Sequence, residues 1–334
     1  MDATSNTSPV IAIIGGGPAG MSCALWLKLM GLSPNIIERN AALGGQLLYI
    51  NRINRWVLGL PNRTSVELAE LYGKHISEEN IPVKYNTQLT AVESAGSDYR
   101  LFLQESDQNP TSILVQAIVI ATGVRVLNRE IFSQIPEFDT LAAMGRIGVF
   151  PTDHIIKLEN LSGKTAAVIG GGDNAHYTAK DLASTAARTY LLIRSQPKAH
   201  SRIRKEVETL IEQGLVIEYT QTTVDAFRQV QDGVEIFFTT SGSVVANIKV
   251  DMVFTRTGFT PNSEFLNKLI PFANIRKLAD GYLFTDTECR TSIASVYAIG
   301  DVRSPRMQSV VTAIADGAKA ARTIETDLGA KEGF

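Results

Sequence analysis

Cysteine and histidine are scarce in this chain of 334 residues. Its two cysteines, Cys23 and Cys289, exclude a framework of several disulfides and any metal site built on a cysteine cluster. The four histidines show no metal-ligand spacing, so we predict no metal site. A lone small thiol is usually a core residue, and we expect this of both cysteines. Because they are the only thiols of the chain, they are also the candidates for a catalytic cysteine. A disulfide between them needs Cα atoms about 4.4–6.8 Å apart.

Long apolar runs and patches of a single charge are also missing. No segment approaches the roughly 20 apolar residues that span a bilayer, and the N-terminus lacks the basic start of a signal peptide. We therefore predict a cytoplasmic protein. Lys and Arg number 32 against 34 Asp and Glu, and the two signs are interspersed, so nucleic acid is not an expected partner. The length predicts two domains.

A glycine motif between two apolar segments stands near the start of the chain. The predicted strand over 10–14 runs into this motif, and a predicted apolar helix continues to about Leu29. The spacing is G-x-G-x-x-G, and its glycines are Gly15, Gly17 and Gly20. Such glycines make the turn, admit a pyrophosphate and let the helix pack, while the unpaired N–H groups of the helix face the phosphates. The next apolar strand ends in Glu38, an acid that suits a ribose hydroxyl. We predict a dinucleotide site.

The same pattern recurs later in the chain. An apolar segment from Lys164 meets a second glycine turn and a predicted helix. The residues of this second motif are Gly170, Gly172, Asp173, Asn174 and Ala175. The following strand ends in Arg194, and arginine there accommodates a 2′-phosphate. If this site binds a nicotinamide cofactor, it favours NADPH over NADH. Between the two motifs we predict one apolar strand over 113–123, and after them a strand that ends in Gly300-Asp301.

Ordered motifs give the chain a resemblance to the low-molecular-weight thioredoxin reductases over nearly its whole length. They are Gly15-Gly-Gly-Pro-Ala-Gly20, Gly44-Gly-Gln46, Ala121-Thr-Gly123, Gly170-Gly-Gly-Asp-Asn-Ala175, Thr257-Gly-Phe-Thr-Pro-Asn262 and Gly300-Asp301. The resemblance implies an α/β fold with two Rossmann-like, three-layer nucleotide-binding domains. An FAD domain would comprise 1–123 and 259–334, and an NADPH-type domain would be inserted at 124–258. It also implies a homodimer.

The resemblance assigns the FAD site residue by residue. The glycine turn would hold the pyrophosphate, Glu38 the ribose and Asp301 the ribityl chain, and the start of the last helix would face the flavin. The implied cofactor-binding residues are Gly15, Gly17, Pro18, Ala19, Gly20, Glu38, Arg39, Gly45, Gln46, Trp56, Ala121, Thr122, Gly123, Gly300, Asp301, Ser309 and Val310.

The chain departs from the family where the family has its redox dithiol. A Cys-x-x-Cys precedes the second glycine motif in those enzymes, whereas this chain has Gly145-Arg-Ile-Gly-Val-Phe-Pro-Thr-Asp-His154. A mixed disulfide needs a thiolate at that place. We therefore expect no thioredoxin reductase activity of the usual kind.

The second nucleotide site also departs from the family. The family clamp for a 2′-phosphate is reduced to Arg194-Ser195, with Lys198, Arg202 and Arg204 downstream. These basic groups either rebuild the clamp or are a solvated helix start. His176 and Tyr177 stand where the family has a small apolar residue and an acid, and they either stack on a cofactor ring as catalytic candidates or simply pack.

Three functions remain open from the sequence. The first is an FAD-dependent oxidoreductase that moves electrons between NADPH and a ferredoxin-like protein, a quinone or a small disulfide. The second resembles the cyanobacterial diflavin-linked disulfide oxidoreductases, with a second FAD in place of NADPH and electrons from thiols. The third is a flavin-binding module without enzymatic activity.

Overall fold

The structure is a computed structural model that describes residues 8–50, 52–106, 108–242, 244–304 and 306–332. The sequence also predicts a short, disordered polar tail over residues 1–8, and of these only Ser8 lies within the described residues. Among the described residues, no helix is long and apolar enough to cross a membrane.

Strands and helices alternate along much of the chain. The strands are β1 Val10–Ile14, β2 Ser33–Ile37, β3 Ile53–Asn54, β4 Arg63–Thr64, β5 Val83–Lys84, β6 Thr87–Ala95, β7 Asp98–Glu105, β8 Thr111–Val115, β9 Ala117–Ile120, β10 Val124–Val126, β11 Ile147–Gly148, β12 Thr165–Ile169, β13 Arg188–Leu192, β14 Val216–Tyr219, β15 Thr222–Val230, β16 Gly233–Thr240, β17 Val244–Val250, β18 Met252–Thr255, β19 Phe259–Pro261 and β20 Val296–Ala298. The α-helices are α1 Pro18–Leu29, α2 Ser65–Glu78, α3 Arg129–Phe132, α4 Phe138–Ala143, α5 Asp153–Lys157, α6 Asp173–Ala183, α7 Ser201–Glu212 and α8 Val310–Glu332.

The chain forms two compact units. The first unit comprises Met1–Arg125 and Thr260–Phe334, and the second comprises Val126–Phe259. The short strands β10 and β19 pair with each other, and each contains one boundary between the units. The first unit therefore contains both chain ends, and the second is an insertion.

The first unit has three layers. Its parallel sheet has the order β20-β9-β1-β2-β5, and an antiparallel sheet has the order β6-β7-β8. Side chains of β1 alternate between two cores, as expected for a strand buried on both faces. Ile11 and Ile13 pack with residues of α1 and α8, whereas Ala12 and Ile14 pack with residues of β7. The parallel sheet thus lies between helices and the antiparallel sheet.

The second unit repeats this architecture. Its parallel sheet has the order β11-β18-β12-β13-β14, and its antiparallel sheet has the order β15-β16-β17. Ala166 and Val168 of β12 pack with α6 and α7, whereas Ala167 and Ile169 pack with β15 and β16. The predicted α/β fold with two Rossmann-like units is confirmed.

One predicted element is wrong. The apolar run over 113–123 is not one strand, because it breaks at Gln116 and each part joins a different sheet. The Gln116 side chain accepts a hydrogen bond from the Val10 N–H at 2.8 Å and donates one to Asp98 at 2.7 Å. Gln116, whose side chain is hydrogen-bonded to Val10 and Asp98, therefore marks the point where the chain passes from the antiparallel sheet to the parallel sheet.

Candidate nucleotide-binding sites

A cavity of about 300 Å³ opens in the first unit where the strands of its parallel sheet end. Its walls include Ile14 of β1, Ile37 of β2 and Ile299 after β20, together with the glycine turn before α1. Ligands of open α/β sheets bind outside the carboxyl ends of the strands. The cavity therefore lies where this fold places a ligand.

Each glycine of the first motif occupies its position for a different structural reason. Gly15 has a φ of +115°, and a Cβ there would lie 2.4 Å from the Ala121 carbonyl oxygen. A Cβ on Gly20 would lie 2.1 Å from the Gly15 carbonyl oxygen. Around Gly17, in contrast, no atom lies within 4 Å of the Cβ position. Two glycines thus allow close backbone packing, and the third leaves space beside the first turn of α1, which begins at Pro18.

Glu38 is buried under the glycine turn. One carboxylate oxygen accepts the Gly16 N–H at 2.7 Å, and the other accepts the backbone and side-chain N–H groups of Asn40 at 2.8 Å each. The residue is 4% exposed and lines the cavity. The carboxylate both fixes the turn and presents an acceptor to a ligand.

Asp301 lines the same cavity and carries a buried, unsatisfied oxygen atom. Its Oδ1 has no hydrogen-bond partner among the described residues. Burial, and secondarily the nearby Asp316 carboxylate, raise the pKa of Asp301 from 3.8 to about 6. A buried polar atom without a partner is costly, so this oxygen fits a ligand that brings hydroxyl groups.

Most of the residues expected to hold FAD line this cavity. They are Gly15, Gly17, Pro18, Ala19, Glu38, Arg39, Gly45, Gln46, Ala121, Thr122, Gly123, Gly300 and Asp301. Four expected residues do not line it, and these are Gly20, Trp56, Ser309 and Val310.

Each of the four has another environment. Gly20 packs on the glycine turn as described above. Trp56 follows β3 and is 64% exposed. The Ser309 hydroxyl accepts the Thr312 N–H at 3.2 Å at the start of α8, and Val310 packs against a small core cluster that includes Val57. The contact of these four residues with FAD stays a prediction.

The other lining residues were not assigned to the site from the sequence, although Gly16 and Asn262 belong to motifs given above. These other lining residues are Ile14, Gly16, Ile37, Asn40, Tyr49, Thr87, Gln88, Leu89, Val124, Asn262, Phe265, Ile299 and Ala313. Thr87, Gln88 and Leu89 belong to β6 of the antiparallel sheet, which only the tertiary fold brings to the cavity. Asn262 could have been found, because its side chain and backbone hydrogen-bond the Ala121-Thr-Gly123 segment.

The second glycine turn repeats the geometry of the first. Gly170 has a φ of +148°, and a Cβ there would lie 2.1 Å from the Arg256 carbonyl oxygen and 3.3 Å from the Ala175 Cβ. Around Gly172 nothing lies within 4 Å of the Cβ position. Asp173 and Asn174 open α6 with exposed side chains. The space at Gly172 suits the approach of a pyrophosphate.

The loop after β13 folds back onto this turn. The Lys198 N–H donates to the Gly171 carbonyl at 2.7 Å, and the His200 N–H donates to the Asp173 carboxylate at 2.7 Å. The contacts hold the start of α7 beside the start of α6. The expected clamp residues thus lie next to the second glycine turn.

The basic groups expected at this place differ in availability. Arg194 and Lys198 are exposed and have no ion pair with any described residue, and Ser195 is exposed beside them. Arg202 pairs with Glu206 at 3.3 Å. Arg204 forms a two-pronged ion pair with Glu218 and a further pair with Glu208. Arg204 is therefore held in ion pairs with Glu218 and Glu208, whereas Arg194 and Lys198 are available to bind a phosphate.

His176 is completely buried. Its Nδ1 lies 3.0 Å from the Gly172 carbonyl oxygen, so this nitrogen carries the proton, and its Nε2 lies 3.5 Å from Arg204 Nη1. Burial lowers the pKa of His176. Tyr177 is partly exposed, and its hydroxyl lies 3.1 Å from His200 Nε2. The His176 imidazole therefore packs in the interior and offers no surface on which a cofactor ring could stack. Of the two residues, only Tyr177 has an accessible ring.

A buried polar network occupies the segment for which the sequence resemblance implies a dithiol in the family. Arg256 Nη2 lies 2.6 Å from the Asp153 carboxylate and 3.3 Å from His154 Nδ1, and His154 Nε2 lies 3.0 Å from Asp181. Arg256 Nε donates to Thr178 at 3.0 Å. The segment is thus tied to α6 by hydrogen bonds and ion pairs.

The two cysteines are free, buried thiols. Burial raises the pKa of Cys289 to about 11, and burial together with the nearby Cys289 raises the pKa of Cys23 still further. Reactive cysteines are accessible and have lowered pKa values. Both thiols therefore have the character of core residues. Among the described residues, no three His, Cys, Asp or Glu side chains lie together as metal ligands.

Comparisons with known proteins agree with this architecture. A family model described as pyridine nucleotide-disulphide oxidoreductase matches residues 9–317. A thioredoxin reductase of Mycoplasma genitalium is 26% identical over 321 residues, which cover 95% of each protein. The crystal structure of Lactococcus lactis thioredoxin reductase matches with a TM-score of 0.80 at 21% identity, over 97% of this chain and all of the other. A bacillithiol disulfide reductase of Bacillus cereus matches with a TM-score of 0.78 at 19% identity, over 96% of this chain and 99% of the other.

Proposed function

The chain belongs to the pyridine nucleotide-disulphide oxidoreductase family, and from this we propose that it is an FAD-dependent oxidoreductase that moves electrons between NADPH and an acceptor other than a dithiol of its own. As a member of thioredoxin reductase type it is an oxidoreductase. What we propose beyond this is that its cofactors are FAD and NADPH and that its electron acceptor is a separate molecule.

One observation carries the assignment of FAD to the first unit. The cavity beside the first glycine turn has an empty space at Gly17 and an unpartnered buried oxygen on Asp301. The first suits a pyrophosphate at a helix N-terminus, and the second suits a hydroxyl of a ribityl chain. Gly15, Gly17, Pro18 and Ala19 would therefore hold the phosphates. When bound, FAD would supply the electron-transfer chemistry.

The second unit supplies the proposed NADPH site. Its glycine turn has the same empty space, at Gly172, and the exposed Arg194 and Lys198 stand beside it without an ion pair among the described residues. Two cations without partners there favour a ligand with a 2′-phosphate. Arg204 does not contribute, because Glu218 holds it.

The proposed acceptor follows from the thiols. Cys23 and Cys289 are the only cysteines of the chain, both are buried, and both pKa values are raised. The segment that contains a dithiol in the related enzymes instead forms the network around Arg256. We infer that electrons leave to a separate acceptor, such as a ferredoxin-like protein, a quinone or a small disulfide, and that the protein works as a homodimer.

Flavin content and donor preference test this proposal together. The purified protein should release one FAD per chain on denaturation, and under anaerobic conditions NADPH should bleach its flavin band within seconds. NADH should do so with much lower affinity. Two FAD per chain and a flavin that responds to thiols but not to NADPH would establish the diflavin alternative. A flavin that dithionite alone can reduce would leave only the role of a binding module.

A further inference from the structure

The turn that carries Asp301 is held from behind by the last helix. Asp316 lies in the second turn of α8, and one of its carboxylate oxygens accepts the Gly300 N–H at 3.1 Å. Both of its oxygens accept Arg303 Nη1 at 2.9 Å. A single carboxylate therefore holds the residues on both sides of Asp301 and Val302.

Arg303, which forms the ion pair with Asp316, is held in place as well. Arg303 Nε donates to the Thr285 hydroxyl at 2.7 Å. The side chains of Arg303 and Asp316 are 21% and 17% exposed, and neither lines the cavity. Charge-assisted hydrogen bonds of this kind are stronger than neutral ones, and partial burial limits their screening by salt. The pair can act on a ligand only through the turn.

The turn has little room to move on its other side. Gly300 has a φ of +70°, and a Cβ there would lie 2.8 Å from the Ala19 Cβ at the start of α1. The backbone of the turn is thus confined between α1 and the Asp316 carboxylate. The position of the Asp301 side chain at the cavity wall follows from these two contacts.

Charge also links the two aspartates. Asp316 is a like charge near the buried Asp301 and disfavours its ionised form. Arg303 pairs with Asp316 and offsets its charge, and the phenol of Tyr282 is a further titratable group near Asp301. Asp316 therefore both holds Asp301 in place and influences its protonation.

We propose that Asp316 and Arg303 are positioning residues, which hold the Asp301 carboxylate toward the cavity so that it can bind the hydroxyl groups of the FAD ribityl chain. This inference rests on the proposed function of the first unit as an FAD site. It assigns a role in cofactor binding to two residues that do not touch the cavity.

The chain offers a matched control on the same helix. Arg290 donates to Asp327 of α8 through Nε at 2.8 Å and through Nη2 at 2.7 Å. Asp327 also accepts the Tyr297 hydroxyl at 2.8 Å. This pair joins a loop to α8 as the Arg303–Asp316 pair does, but it makes none of the hydrogen bonds of the turn. Asp327→Asn therefore reports the general cost of losing such a pair.

The test is the dissociation constant of FAD, measured by quenching of flavin fluorescence on the deflavinated protein. At about pH 7.5, Asp316→Asn and Arg303→Gln should each weaken FAD binding about tenfold, which corresponds to about 1.4 kcal/mol. Asp327→Asn should change it less than about twofold. Circular dichroism of each apoprotein checks that the variants fold.

A pH series separates positioning from a merely structural role. In the wild type, FAD affinity should fall as the pH drops through about 6, where Asp301 is protonated. Asp316→Asn removes the like charge and should move this fall to lower pH, because the ionised form of Asp301 is then less disfavoured. Asp327→Asn should leave the midpoint unchanged.

The outcomes are distinct. A wild-type protein that binds no FAD would refute the proposed function and this inference with it. Wild-type affinity in both Asp316→Asn and Arg303→Gln would refute the inference alone, and so would equal weakening by Asp327→Asn. If Asp316→Asn does not fold, Arg303→Gln decides, since it keeps the hydrogen bond between Gly300 and Asp316.

Discussion

Adding one methyl group should mainly reduce stability at Gly15 and mainly reduce FAD binding at Gly17. At Gly15 the φ of +115° costs an alanine about 1–2 kcal/mol, and its Cβ would lie 2.4 Å from the Ala121 carbonyl oxygen. A forced backbone shift adds about 1–3 kcal/mol. Gly15→Ala should therefore lower the free energy of unfolding by about 2–5 kcal/mol. At Gly17 no atom lies within 4 Å, so Gly17→Ala should cost the apoprotein at most about 1 kcal/mol.

Binding should separate the two variants further. The Gly17 methyl would occupy the space through which the pyrophosphate approaches the first turn of α1, and FAD affinity should drop at least about tenfold. Urea unfolding of the apoproteins gives the stability, and titration with FAD gives the affinity. A Gly17→Ala protein that binds FAD as tightly as the wild type would refute the placement of the pyrophosphate. A Gly15→Ala protein as stable as the wild type would refute the account of the turn.

Three further predictions concern the other charged groups. Arg194→Gln should weaken NADPH binding about tenfold and leave NADH unchanged, whereas Arg188→Gln, at the start of the strand that precedes Arg194, should affect neither in equilibrium titrations. Arg256→Gln should lower the free energy of unfolding by about 3 kcal/mol, because it leaves the partly buried Asp153 carboxylate without its cation, and an unchanged urea midpoint would contradict this. Because the folded pKa of Asp301 is raised from 3.8 to about 6, that group stabilises the apoprotein less as the pH rises through about 4–6. Asp301→Asn should then be more stable than the wild-type apoprotein at pH 7, by up to about 3 kcal/mol, with no such gain at pH 4 by thermal unfolding.

The fold was predictable because its signals are local. Each glycine turn combines a strand, a backbone contact that only glycine allows and a helix start, and all three lie within about a dozen residues. The same locality explains why most of the expected residues line the cavity. Gly15 lines the cavity and Gly20 packs on the turn behind it, and neither has room for a side chain.

Contacts that depend on tertiary packing were not predictable. Thr87 and Leu89 reach the cavity from the antiparallel sheet, and no motif marks them. Trp56 was assigned from the resemblance alone, and its side chain is 64% exposed in the segment after β3, so its contact with FAD stays a prediction. The burial of His176 could have been predicted from the sequence, because His176, Ala179 and Ala183 share one face of α6 at helical spacing.

The number of NADPH equivalents needed to reduce the protein tests the central claim most directly. Each NADPH delivers two electrons, so a chain with one FAD and no redox-active disulfide should be fully reduced by one equivalent in an anaerobic titration. A second equivalent consumed before NADPH accumulates would show a further two-electron acceptor in the chain. In a sample that releases one FAD per chain, this acceptor would have to be a disulfide of Cys23 and Cys289, the only thiols, and the result would contradict their assignment as core residues and the proposal of a separate acceptor.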